Sequence, residues 1–319
     1  MSPSFEDIDS KVEKAQGDKA RFLKSKEGLL PHFEFPSGET KEEKHYSKET
    51  LLADMYEERL EEFNISVDEK ILNNVFRYIQ NREWEKSDEK ENMKPDNSAG
   101  VLKTFSALIN TNSLSRRSSE EQRKAETYLH DKVFIVNAYD HAKSYTHKKG
   151  FFYSPRRFLE IISALISTGS LFELDSEYQK EVEAYLHNPV LLEDIYQEIQ
   201  KKIEGKQMGD ATDAFRAISA IISTNVLPQL SPENQKRIKT YLCDPIFFEN
   251  VCKDIQAWVN AGNSSVSFAS QAIWNISSLI IVKDYLREKG KKIDDETFAK
   301  EALNPTKKIP PRPEMRNNH

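Results

Sequence analysis

One string of residues occurs three times in this chain, in a single register and without internal gaps. It reads Phe105-Ser106-Ala107-Leu108-Ile109-Asn110-Thr111, then Leu114, Gln122 and Tyr128-Leu129-His130-Asp131. The second copy reads Ile162-Ser163-Ala164-Leu165-Ile166-Ser167-Thr168, Leu171, Gln179, Tyr185-Leu186-His187-Asn188-Pro189, and the third Ile218-Ser219-Ala220-Ile221-Ile222-Ser223-Thr224, Leu227, Gln235, Tyr241-Leu242-Cys243-Asp244-Pro245. The copies start 57 and 56 residues apart. A unit of this size cannot bury its apolar face alone, so it must stack on its neighbours.

Capping chemistry divides each unit. Nine residues before the recurring serine stand Asn97, Ser154 and Asp210, twelve after it Ser118, Asp175 and Ser231, and twenty-five after it Asp131, Asn188 and Asp244. All are side chains that accept hydrogen bonds from free amides at a helix start. Pro155, Pro189, Pro232 and Pro245 follow four of them, at the first helical position, where a missing N–H costs nothing. Three caps predict three helices per unit. A fourth, degenerate unit is expected around Ile276-Ser277-Ser278-Leu279-Ile280.

The expected fold is all-α: a right-handed α-solenoid of three to four three-helix repeats with extended N- and C-terminal arms. In general build it resembles armadillo and HEAT arrays, although the period is longer than theirs and their motif residues are not matched. Residues 1–47 read as an extended arm, 48–96 as a helical capping unit and linker, and 97–304 as the array. Its units span about 97–153, 154–209, 210–266 and 267–304, and 305–319 form a tail. In the arm, Phe33 and Phe35 sit between prolines, as anchors for a groove or as incidental aromatics of a disordered tail.

Composition narrows the function classes. The formal net charge is -6, which gives no global field for nucleic acid or anionic lipid. Residues 1–100 carry 24 Asp+Glu against 16 Lys+Arg, and the remainder 28 against 30. Two cysteines, Cys243 and Cys252, do not make a disulfide scaffold. An intracellular reducing compartment is expected, with cytoplasm and mitochondrial matrix not distinguished. No run of 18 apolar residues is present, so no membrane span is expected. The chain has no P-loop, HExxH, CxxC or GxSxG motif. Hence no enzyme, cofactor, metal site or small-molecule substrate is expected.

The recurring Ser-Ala pairs read as small residues for close helix approach. The tyrosines read as core, and Gln122, Gln179 and Gln235 as a hydrogen-bond ladder between units. His130, His187 and Cys243 share one position, but adjacent layers lie too far apart, at about 8 to 10 Å, to share a metal. One stretch departs from the repeat. From His141 to Leu159 there is no acidic residue, while Lys143, Lys148, Lys149, Arg156 and Arg157 alternate with Tyr145, Phe151, Phe152 and Tyr153. That pattern suits RNA or an acidic partner, or an ordinary loop with its phenylalanines turned inward. The expected function is a non-catalytic scaffold or structural subunit of a larger intracellular protein or ribonucleoprotein assembly. The alternative is an RNA-binding repeat protein, organellar or not, that uses 141–159.

Overall fold

The computed structural model describes residues 47–63, 65–84, 94–147, 153–205, 207 and 209–302, with the side chains of 83, 84 and 294–302 excepted. They lie within the compact unit Tyr46–His319. Among the described residues the chain is all-helical, with no strand. The helices are α1 (Lys48–Glu62), α2 (Glu69–Trp84), α3 (Pro95–Asn110), α4 (Ser119–Leu129), α5 (Lys132–Ser144) and α6 (Pro155–Ser167). They continue as α7 (Ser176–Leu186), α8 (Pro189–Glu204), α9 (Asp210–Ser223), α10 (Pro232–Leu242), α11 (Pro245–Gly262) and α12 (Val266–Ala302). Phe33, Phe35, Lys148, Lys149, Phe151, Phe152 and the 305–319 tail lie outside the described residues.

Seven of the nine expected caps stand at their positions, but not all cap through the side chain. Asp131, Asn188 and Asp244 each accept two amides of the following turn, and Ser118 forms a reciprocal capping box with Glu121. Asp175 sits at the helix start without a side-chain cap bond, and its carboxylate accepts from Lys132 Nζ at 2.7 Å instead. Asn188→Ala is therefore expected to lower the unfolding free energy by about 1 kcal/mol in urea denaturation, and Asp175→Ala by much less. At the other two positions the cap lies one to three residues earlier. The cap of α3 is Lys94, with Pro95 as the first helical residue, and Asn97 lies buried inside the helix, where its Oδ1 accepts from Arg82 at 2.7 Å. The cap of α9 is Gly209, at φ 88°, and Asp210 pairs with Lys202 at 2.7 Å.

Helices α3, α6 and α9 end alike. Six residues after the recurring serine, Asn112, Gly169 and Asn225 take positive φ (52°, 75° and 55°), a conformation that only glycine and a few short polar residues adopt readily. At the corresponding place in α12 stands Lys283, and that helix runs on to Ala302. Within Val266–Ile293 an 18-residue window has the length and hydropathy of a membrane span, at a mean hydropathy of 1.2. In the folded body α12 is the helix against which α1, α2, α3, α9 and α11 all pack. Ala272, Ile273, Ile276, Leu279 and Val282 on it are buried.

Helix α3 packs on α6, α6 on α9, α9 on α12, and α12 back on α3. The four inner helices thus meet in a cycle. The recurring serines mark it: Ser106 Oγ lies 2.6 Å from Ser167 Oγ, Ser163 Oγ 2.6 Å from Ser223 Oγ, and Asn110 Nδ2 donates to Ser277 Oγ at 3.2 Å. Each bond joins a serine to the residue four positions past the serine of the next inner helix. The last of them joins α12 to α3. A hydrogen-bond ladder between units does exist, but on serine rather than glutamine. Gln122, Gln179 and Gln235 instead donate within their own unit, to Arg117 O, Leu174 O and Leu230 O at 2.7 to 2.8 Å.

The N-terminal pair α1–α2 packs on α12. Helix α2 packs on α12 and on α3, as α5 packs on α3 and α6. Its Asp68 accepts from Ile71 N at 2.8 Å, and Ile71, Leu72, Val75, Phe76 and Ile79 beyond it are buried. The same five offsets after Asp131 give Phe134, Ile135, Ala138, Tyr139 and Ala142, and after Asn188 give Leu191, Leu192, Ile195, Tyr196 and Ile199, all buried. Helix α1 lies against the far half of α12 at Gly290, where an added Cβ would fall 2.6 Å from Thr50 N.

Candidate ligand-binding site

Three residues before the serine, the inner helices carry Lys103, Glu160, Arg216 and Trp274. All four copies differ here, and the cyclic packing brings the four side chains together. Glu160 lies 3.1 Å from Lys103 Nζ, 2.7 Å from Arg156 and 3.7 Å from Arg216 Nε, and Lys103 Nζ stands 4.1 Å from the centre of the Trp274 ring. Burial pushes the Glu160 carboxyl up, but Arg216, Lys103 and Arg156 outweigh it and hold the group well below the usual range. Burial pushes the Lys103 ammonium down to about 8, although Glu160 opposes the shift. One carboxylate serves three cations.

This layer separates two cavities. On one side the serines and alanines leave about 50 Å³, room for a few waters. On the other a basin of about 580 Å³ opens among the first turns of α3, α6, α9 and α12. Its lining holds six cations, Arg82, Lys103, Arg156, Arg157, Lys202 and Arg216, against four carboxylates, Asp96, Glu160, Asp210 and Asp213. Three of those carboxylates are engaged: Asp213 with Arg156, Lys202 and Arg216, Asp210 with Lys202, and Glu160 as above. Arg156 also reaches Glu198, at 3.3 Å. Arg157 is exposed and pairs with no carboxylate among the described residues; its guanidinium lies 5.7 Å from the Tyr145 ring centre. The four helix starts add positive potential to this excess.

No family model, curated protein or solved structure matches this chain. The geometry of the basin therefore carries the functional argument.

The 141–159 stretch is divided by the fold. Arg156 is buried amid its carboxylates, and Tyr145 is buried with its hydroxyl 3.1 Å from His141 Nε2. Neither is placed as a surface contact for RNA. Lys143 turns to Glu181 at 2.7 Å. Arg157 alone of the described members is an uncommitted cation, and it points to the basin rather than to an outer groove. Sequence reasoning missed Lys103, Glu160, Arg216 and Trp274. They occupy one repeat position with four different side chains, so a search for what recurs passes over them. The recurring tyrosines are half-buried against core rings: Tyr128 on Phe105 at 6.0 Å, Tyr185 on Phe158 at 5.1 Å and Tyr241 on Phe247 at 6.1 Å. His130 and His187 are exposed at helix ends, each with its own partner, Glu173 Oε1 and Glu183 O.

Proposed function

We propose that the chain is a ring of four three-helix units, the fourth assembled from both ends as α12 with α1 and α2, and that it is a non-catalytic binding protein for an anionic ligand seated in the basin. The observation that carries the reading is Arg157, a lining cation that pairs with no carboxylate among the described residues, in a concavity of ligand size; pockets for small molecules run from roughly 300 to 1,000 Å³.

Titration calorimetry with inorganic pyrophosphate at low ionic strength tests the reading. Saturable one-site binding is expected, weakened about tenfold or more, 1.4 kcal/mol, by Arg157→Glu. Arg157 is exposed, so the variant should keep the wild-type unfolding curve. Absence of any binding to the wild-type chain would end the reading.

A second reading, a structural subunit that docks a protein partner, is favoured by one other observation. Val133, Val190 and Ile246, two positions after the cap in three successive units, are 49%, 57% and 54% exposed. Isolated exposed apolar residues are ordinary, but three at one repeat position form a row. If the row is an interface, Val190→Glu abolishes co-purification of a stoichiometric partner and leaves pyrophosphate binding unchanged.

A further inference from the structure

The basin is two-sided, and the two sides differ in chemistry. Helix α6 contributes Arg156 and Arg157, with Lys103 and Arg216 on the helices to either side of it. Across the ring from α6 stands α12, and there the lining is aromatic: Phe268 and Trp274 from α12 itself, with Tyr78 from α2 and Trp258 from α11 beside them. Trp258 and Phe268 lie 5.4 Å apart, centre to centre, and Tyr78 meets Trp274 edge-on at 6.4 Å. Phe268 is 43% exposed, a large apolar ring left open at the mouth of a charged cavity.

A free inorganic anion uses only one of these walls. Resting on the proposed anion-binding reading, we infer that the ligand carries its negative charge at one end and a planar aromatic ring at the other, which makes it a nucleoside phosphate in chemical class. The phosphate end meets Arg157 and the Lys103–Arg216 layer, and the base lies against Phe268 and Trp258. Aromatic side chains accept bases with little sequence preference, because every base offers a π-face, and the nearby arginines add cation–π attraction.

Pyrophosphate and ADP share the charged end and differ by the nucleoside, so their ratio isolates the aromatic wall. In calorimetry on the full chain, ADP should bind at least about tenfold more tightly than pyrophosphate. Phe268→Ala should erase that difference without changing pyrophosphate affinity, and ADP should quench the emission of Trp258 and Trp274 where pyrophosphate does not. If Phe268→Ala lowers thermal stability, Phe268→Leu, which keeps the apolar volume but not the ring, takes its place. Equal affinity for the two ligands, or an ADP preference that survives loss of the Phe268 ring, overturns this inference and leaves the anion reading intact. Failure of the anion reading shows separately, in the pyrophosphate arm.

Discussion

Glu160→Gln is expected to lower the unfolding free energy by about 3–5 kcal/mol, the cost of removing one partner from a buried ion cluster. The variant keeps size and shape but strips three buried or half-buried cations, Lys103, Arg156 and Arg216, of their shared carboxylate. The opposite deletion should be mild. Lys103→Met leaves Glu160 two arginines and removes an ammonium whose ionisation burial already disfavours, so equilibrium denaturation should place it within about 1 kcal/mol of wild type. The double variant should recover part of the Glu160→Gln loss, which is the coupling that a double-mutant cycle reads.

The two groups also predict a pH profile of stability. The folded pKa of Glu160 is depressed below its unfolded value, so its contribution is present above that unfolded value and is lost as pH falls through the acid range. The folded pKa of Lys103 is about 8 against an ordinary 10.5. The unfolded chain therefore binds more protons between those values, and stability from this group rises as pH climbs through that window. Burial raises the Cys252 thiol and the Tyr56 hydroxyl in both proteins, so the readout is the difference: the midpoint of wild type relative to that of Lys103→Met should rise between pH 8 and 10.5. A midpoint series that is identical in the two proteins would mean that Lys103 is solvated and that the layer is not a closed floor.

How much of this was legible depends on what repeats. Helix number and boundaries within the three clear units followed from caps and prolines, because a free amide at a helix start needs an acceptor wherever it occurs. Asn97 misled because it fell on the cap register, while Lys94-Pro95 just before it carried the stronger signal. The partner helices of α12 were hidden for a different reason. Neither α1 nor α2 carries the Tyr-Leu pair, so the search for that string found nothing at the N-terminus. Asp68 with Ile71, Leu72, Val75, Phe76 and Ile79 keeps the cap and the apolar offsets of α5, α8 and α11, and that pattern was readable. The basin was not. Its charges sit on neighbouring copies at positions that differ in each, so only the packing of α3 on α6 and of α6 on α9 brings them together, and the return of α12 to α3 adds the aromatic side.

That return has its own test, because an open row and a closed ring respond differently to damage near one end. Tyr56→Ala removes a ring that is fully buried and stacked 3.8 Å from Phe248, and a hydroxyl that donates to Leu242 O at 3.1 Å. The expected loss is about 3–5 kcal/mol. Tyr56→Phe, which gives up only the hydrogen bond, should cost about 1 kcal/mol. Neighbouring contacts also join the chain's two ends: Asn74 Nδ2 to Gly262 O at 2.9 Å, Gln256 Nε2 to Phe63 O at 3.0 Å, and Arg287 to Glu57. In an open row, loss of the first helices frays that end and spares the rest, since each unit answers only to its neighbours. In a ring the damage falls on both ends of the sequence at once. Hydrogen exchange on Tyr56→Ala should therefore accelerate in α11 and α12 as much as in α1 and α2, with α5 and α6 the last to open. Exchange that quickens in α1 and α2 alone would show that the cycle of inner helices holds without its N-terminal clasp.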